Sequence, residues 1–276
     1  MRWIALITLT ALVACKPAQP DFSKTLAGKN DTERYRLALE VLRKSDDPSA
    51  FTKDQDTQVV EAAVDASRER LADVGENPSA NIESLANNLL DFAADAKSSP
   101  ELATRALHAI AESHSSFGGR ISARVAQLAH NPDYRSRIDA IQVLSELADG
   151  SQAATLAQLV NDKDQDVAEA AKEGLESIKG KGVTQTFIKG IADKTLSDET
   201  RAALLRAATK RDMTAVVPAA AEAITEPSLR LDAQKALLRL ARKSDLVQLR
   251  VACEKVPEGS ASAAALKRLI AKLEKE

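Results

Sequence analysis

Three groups of side chains have the types and the spacing that chemistry would need. The first is Asp162, Asp164, Asp166 and Glu173. Counted as a twelve-residue loop, they stand at positions 1, 3, 5 and 12, the oxygen set that calcium takes. Position 6 must be glycine for that loop to turn sharply, and here it is Val167; position 8 must be apolar, and here it is Glu169. The acids read instead as a turn that opens a helix, where aspartate caps free amides and suits the helix dipole. The second group is His108, Glu112 and His114. His108 and Glu112 share a helix face at i, i+4, but His114 points elsewhere, so they read as surface polar residues rather than a metal set. The third is Cys253, which falls on the apolar stripe of its segment and reads as a small core residue. Gly180-x-Gly182 lacks the Lys-Ser that a phosphate loop needs. Carboxylates are too numerous for any pair to be singled out as a general acid and base.

Cys15 is different, because its context is specific. The chain opens MRWIALITLTALVAC, with Arg2 as a minimal positive region and an apolar run from Ile4 to Ala14. A membrane span takes about 20 residues, so this run is a signal-peptide core and not a transmembrane helix. It ends in Leu12-Val13-Ala14-Cys15, which resembles the bacterial lipobox at all four positions. The resemblance implies that the Cys15 thiol takes diacylglycerol, that the chain is cut before it, and that the new amino terminus is acylated, with palmitate-type chains as the anchor. Two or three chains give stable anchoring where one is marginal. Lys16 follows, and a residue other than Asp there implies the outer membrane in a Gram-negative cell. Residues 1–14 are thus expected as a signal peptide, and residues 15–30 as the lipidated Cys and a flexible tether.

The remainder must fold, and its composition limits how. Hydrophobic residues make up 44% of the 276, but aromatics only 3%. The core is therefore Ala, Leu, Val and Ile, which suits helices packed closely on helices and suits strands poorly. A formal charge of -2 spread along the chain, with no basic stripe, argues against nucleic acid or an acidic membrane surface as a partner.

Internal similarity then gives the architecture. Shifting 131–147 by 31 places Ala140 on Ala171, Leu144 on Leu175 and Leu147 on Ile178. Three such shifts place Arg137 on Arg230, Asp139 on Asp232, Ala140 on Ala233, Leu144 on Leu237 and Leu147 on Leu240. A copy from Ser197 fits with an offset of about two residues. Weaker copies start at Asp54 and Pro100, and a helix over about 32–44 opens the stack. Ala233, Ala236, Leu237, Leu240 and Ala241 form one helical stripe. Shorter helices lie between the copies, marked by Leu156 and Leu159, by Phe187 and Ile191, and by Leu246 and Leu249.

These residues resemble HEAT repeats, in particular the type named after phycobilisome lyases. Ala215-Val216-Val217-Pro218-Ala219 is similar to the first half of that motif, and Asp162, Asp164, Val167, Ala170, Ala171 and Leu175 to the second. The motif arginine is matched by Arg137, Arg201 and Arg230 and is missing at Ala168 and Val60. The resemblance implies that these arginines bridge adjacent repeats, and that the second helix of each pair lines the binding face. The fold class predicted is all-α, an α-solenoid of stacked antiparallel helix pairs. It is expected over 31–276, irregular over 31–127 and regular over 128–276, with Ala140, Ala171 and Ala233 as repeat core positions.

The function expected from anchor and architecture is a non-enzymatic scaffold of the cell envelope. Its partner would be an envelope protein or peptide, with the membrane reached through the N-terminal lipid. No cofactor, metal or nucleic acid is expected. The alternatives are an enzyme or enzyme accessory resembling bilin lyases, and a structural subunit of an envelope complex.

Overall fold

The apolar stripes of the sequence are helices in the computed structural model, which describes residues 20–74, 79–95, 97–113, 119–147 and 149–275. The leader, the motif Leu12 to Cys15 and His114 lie outside the described residues. In chain order the helices are α1 (Phe22–Thr25), α2 (Asp31–Leu42), α3 (Thr57–Ala72), α4 (Ala80–Ala94) and α5 (Pro100–Glu112). They continue with α6 (Arg120–His130), α7 (Arg137–Glu146), α8 (Ala153–Leu159), α9 (Gln165–Ser177) and α10 (Val183–Ala192). The last are α11 (Asp198–Lys210), α12 (Val217–Ala223), α13 (Arg230–Leu240), α14 (Leu246–Lys255) and α15 (Ala261–Leu273). No strand occurs among the described residues, where Asp149 and Lys181 make an isolated bridge. No described helix is long and apolar enough to cross a membrane.

Local chemistry sets the starts. Asp56, Asp164, Ser197 and Ser260 each accept from a backbone amide of the helix they precede. Asn30 and Glu33 make a reciprocal capping box at α2. Pro100 and Pro218 sit in first turns, where a missing amide hydrogen is harmless. Gly182, at φ 83°, turns the chain into α10 in a conformation that a side chain would strain.

The helices stack in two layers. Helices α3, α5, α7, α9, α11, α13 and α15 each pack on the next to form one layer, with α2 closing its beginning. Helices α4, α6, α8, α10, α12 and α14 form the other, in which α6 also touches the short turn Gly150–Gln152. Between layers the strong packing joins α4 to α5, α6 to α7, α8 to α9, α10 to α11, α12 to α13 and α14 to α15. The fold is an all-α solenoid of stacked antiparallel pairs, each covered by its neighbours.

Ala140, Ala171 and Ala233 have no exposed surface and lie in one continuous core running from α3 to α15. In α11 the same register position is Leu204, three residues after Arg201 as Ala140 is after Arg137. The facing helix makes room: a Cβ on Gly190 would come within 2.6 Å of the Leu204 Cδ1. The larger side chain on one helix is matched by the absence of one on the other. Gly150 has a stricter role, since a Cβ there would lie 2.3 Å from the Val183 backbone nitrogen.

The stretch 15–30, expected as a tether, departs from that expectation within its described part. Phe22 and Leu26 are buried against Phe51 and α3, and the Phe22 and Phe51 rings meet edge-on at 5.5 Å. An isolated Phe and Leu show no periodicity, yet burying each contributes about 1.5–3 kcal/mol. Both cores are built from residues 22–273, so a body that starts at Lys16 holds the whole packing system. Cooperative thermal unfolding of that body, followed by circular dichroism, is the expected outcome.

Within that body, Gly190→Ala should destabilise by about 1–3 kcal/mol through overpacking, and Gly150→Ala by more. Adding Leu204→Ala should make Gly190→Ala nearly harmless, a coupling that a double-mutant cycle in urea reads directly. Purely additive losses would show that the two positions do not share space.

Candidate functional site

The residues singled out by the motif come together at the seams between pairs. Arg137 begins α7; its Nε donates to the Ala129 carbonyl at the end of α6, 3.0 Å away, and its Nη2 to Asp162, 2.5 Å away in the turn before α9. Arg201, with 3% of its side chain exposed, repeats this. Its Nε donates to the Ile191 carbonyl at 2.8 Å and its two terminal nitrogens to Glu226 at 2.7 and 2.9 Å. Each guanidinium thus caps the partner helix of its own pair, where the dipole is negative, and grips an acid at the entry to the next. Arg230 keeps only the first half, donating to the Ile224 and Thr225 carbonyls. Asp162 and Glu226 stand 25 residues after their arginines, and at that distance from Arg230 the chain has Lys255. At Ala168 the arginine is absent, and the acid in register, Asp193, bonds its own turn through Thr195.

Asp164 caps α9 by accepting from Asp166 and Val167, while Asp162 accepts from the Asp164 amide. Two aspartates of the calcium-like spacing, Asp162 and Asp164, are thus used by the Arg137 clamp and the helix start. Glu112 pairs with Arg68 on α3 at 2.5 Å rather than with His108. Cys253 is half-buried, with Sγ 3.9 Å from the Ala263 carbonyl.

Several polar residues lay outside the motif. Arg34 pairs with Asp56, joining α2 to the entry of α3. Arg105 reaches back from α5 to Glu61 and Asp65. Arg211 caps α9 from α11, donating to the Glu176 and Ile178 carbonyls at 2.7 and 2.8 Å, with Phe187 beneath its charge. Burial pushes its pKa down. Arg34 and Arg211 share a signal, an arginine near a helix end with an acid or a carbonyl end on the neighbouring helix, while Arg105 lies mid-helix.

The seam between α5 and α7 carries the densest mixture of reactive types. Thr104 donates to Asp139 at 2.8 Å and lies 3.2 Å from the Ser136 hydroxyl; His108 Nε2 lies 3.6 Å from Asp139. Tyr134 is beside them, its hydroxyl pushed up to about 12 by burial and the Asp139 charge. In a nucleophilic triad the imidazole stands between serine and acid. Here Thr104 occupies that place, bonding Asp139 and lying beside Ser136, and it cross-links α5 to the start of α7.

An open cleft of about 780 Å³ lies at the beginning of the stack, between α1, Arg34 and the turn Phe51–Asp56. The outer face of the layer α3 to α15 is laced by ion pairs between neighbours: Arg68–Glu112, Lys210–Glu176, Arg206–Asp232 and Arg239–Asp212. The pattern changes at the last pairs. Of five large hydrophobic residues exposed in the described chain, Leu231, Leu238, Val247 and Val251 lie on α13 and α14, and Ile138 is the fifth. Arg268, Ala271 and Lys272 of α15, with Lys275 just past its end, line a shallow depression. Charge that looked evenly spread along the chain is gathered by one helix face into a cationic row.

No family model matches this chain, and no curated protein matches it. Among solved structures it is similar to YibA of Escherichia coli, with 16% identity, 92% of each chain covered and a TM-score of 0.37. It is similar to the CpcE–CpcF complex of phycocyanin lyase from Nostoc sp. PCC7120 at 16% identity, covering 82% of this chain and 93% of that one, with a TM-score of 0.39. Human deoxyhypusine hydroxylase, solved with glycerol, gives 14% identity, 89% and 99% coverage and a TM-score of 0.33. Likeness at this level says nothing of what this chain binds or does.

The clamps give a stability prediction. Arg201→Ala should destabilise by about 2–3 kcal/mol, because a buried guanidinium leaves an acid and a helix end unpaired. Arg230→Ala, without an acid partner, should cost about 1–2 kcal/mol. Hydrogen bonds from Arg137 and Arg201 hold Asp162 and Glu226 below the usual carboxylate range. A depressed folded pKa adds stability above the unfolded value and loses it as pH falls through the folded one. Thermal midpoints should therefore fall below about pH 4.5, and the Asp162→Asn, Glu226→Gln double variant should fall less over the same window. A parallel decline in both proteins would remove the clamps from that account.

Proposed function

We propose that this chain is a lipid-anchored envelope protein that acts as a non-enzymatic scaffold. The Cys15 thiol is the anchor, with cleavage after Ala14 and outer-membrane placement if the cell is Gram-negative. The body is a stack whose side chains are largely engaged in holding one pair to the next. The observation that supports the scaffold reading most is the change of surface at α13 and α14, where Leu231 is 61% and Val247 is 67% exposed. Elsewhere on the described surface Ile138 is the one other large hydrophobic residue exposed, and many charges are paired across seams. Exposed apolar side chains grouped on neighbouring elements are the usual mark of an interaction site.

Two measurements test this reading. Metabolic labelling with palmitate should mark the wild-type chain and fail with Cys15→Ala, which should also leave the precursor uncleaved. Crosslinking from positions 231 and 247 in the native cell should enrich one specific envelope partner over crosslinking from position 105, whose arginine is already engaged. Turnover of a small molecule by purified protein, without such enrichment, would replace the scaffold with an enzyme.

A further inference from the structure

We infer that the outer face of α13 and α15 is a second membrane contact, a cationic and apolar surface that lies on anionic phospholipid headgroups. The inference extends the lipid-anchor reading and rests on it for the membrane's proximity. Leu231, Lys235 and Leu238 stand at i, i+4 and i+7 on α13, opposite the buried stripe Ala233, Ala236, Leu237 and Leu240, and all three are exposed. Arg268 on α15 stands opposite the buried Leu266 and Leu269, and Lys275, two residues past the helix end, lines the same shallow depression as Arg268. Helices α13 and α15 pack side by side in one layer, so both outward rows belong to one surface. Among the described residues, Lys235, Lys267, Arg268 and Lys275 make no ion pair, whereas arginines facing outward on α3, α5 and α11 do. Residues 230–276 hold eleven Lys and Arg against six Asp and Glu, within a chain of net charge -2.

An anionic surface fits this arrangement on two counts. Leucines beside unpaired cations match headgroups over an acyl boundary, the division an interfacial helix face uses. The proposed anchor is also close in sequence to the packed body. Phe22, the first buried side chain described, follows Cys15 by seven residues, which fully extended span at most about 25 Å. The anchor therefore holds the first pair close to the headgroups. Seven further layer helices at about 8–10 Å each put α15 far from the anchor, so it reaches the same membrane only if the stack lies along it. The second contact fixes that orientation.

The test uses the body starting at Lys16, which has no lipid and contains both cores. It should sediment with vesicles of phosphatidylglycerol in phosphatidylcholine, stay in solution with pure phosphatidylcholine, and be released by salt. Reversing Arg268 and Lys275 to Glu should weaken binding at least about tenfold. Leu231→Ser with Leu238→Ser should weaken it by a similar factor. Lys163→Glu with Lys189→Glu, exposed cations away from this face, should leave it unchanged, and circular dichroism should show all variants folded. Equal binding by folded face variants and wild type overturns the inference, as does indifference to anionic vesicles. Crosslinks from Leu231 and Leu238 to a protein, with no vesicle binding, would make the face a protein dock instead. Loss of palmitate labelling at Cys15 with vesicle binding intact would remove the anchor alone, so the two readings fail separately.

Discussion

Every inner helix here must be covered on more than one side, and only its neighbours along the stack can do it. Helix α3 shows the demand plainly. Val59, Ala62, Ala63 and Ala66 belong to the core shared with α1 and α2, while Val60, Val64 and Leu71 belong to the core that runs on to α15. A single pair would leave half of this surface in water, at roughly 25 cal/mol for each Å² exposed. Small side chains make the solution workable, since alanine at the closest crossings lets axes approach without specific large anchors. The same closeness makes volume errors expensive. The pairing of Leu204 with Gly190 shows how one departure from alanine is answered across the crossing.

Polar interactions are arranged around that constraint rather than against it. The guanidiniums of Arg137 and Arg201 sit where a helix ends, a turn begins and the next pair enters, and they satisfy carbonyl and carboxylate together. A lysine would supply the charge but not the planar fork that reaches two elements. Arg211 performs a similar task from the far end of its helix. Because the carboxylates keep partial contact with water, the clamps avoid much of the desolvation penalty of a fully buried pair. Their main effect is to set the angle and register of successive pairs, which apolar contact alone leaves loose.

Much of this architecture is legible in the sequence, and unevenly so. Helices α7, α9, α11 and α13 follow from the arginine, alanine and leucine register, because each is the same solution to the same packing problem. Helices α4 and α6 carry no copy of the motif, although the stretch Leu85 to Phe92 is plainly apolar, and they become visible through the neighbours they cover. The clamp partners Asp162 and Glu226 are a constant distance from their arginines, but only a fold says that a distance in sequence is a contact. Phe22 and Leu26 were hidden because a cap needs two well-placed side chains and no period. Leu231 and Leu238 are hard to see for a related reason: they fall off the buried stripe of α13, and a periodic reading attends to what fits the period.

The two ends of the stack differ, and the difference bears on function more than any single residue does. At the beginning, α1 and α2 close the array with aromatic contact, a capping box and the Arg34 and Arg43 pairs to α3. At the other end the arginine series loses its acid partner at Arg230, the seam between α13 and α15 is held by the Ser262 to Gln234 hydrogen bond at 2.7 Å, and leucines stand in solvent. Charges that are not consumed by the seams remain available to something outside the chain. In the middle of the array the arginines at the seams are used to hold one pair to the next. Recognition is then pushed to where the series stops, and the last pairs are where this chain leaves both cations and apolar surface uncommitted.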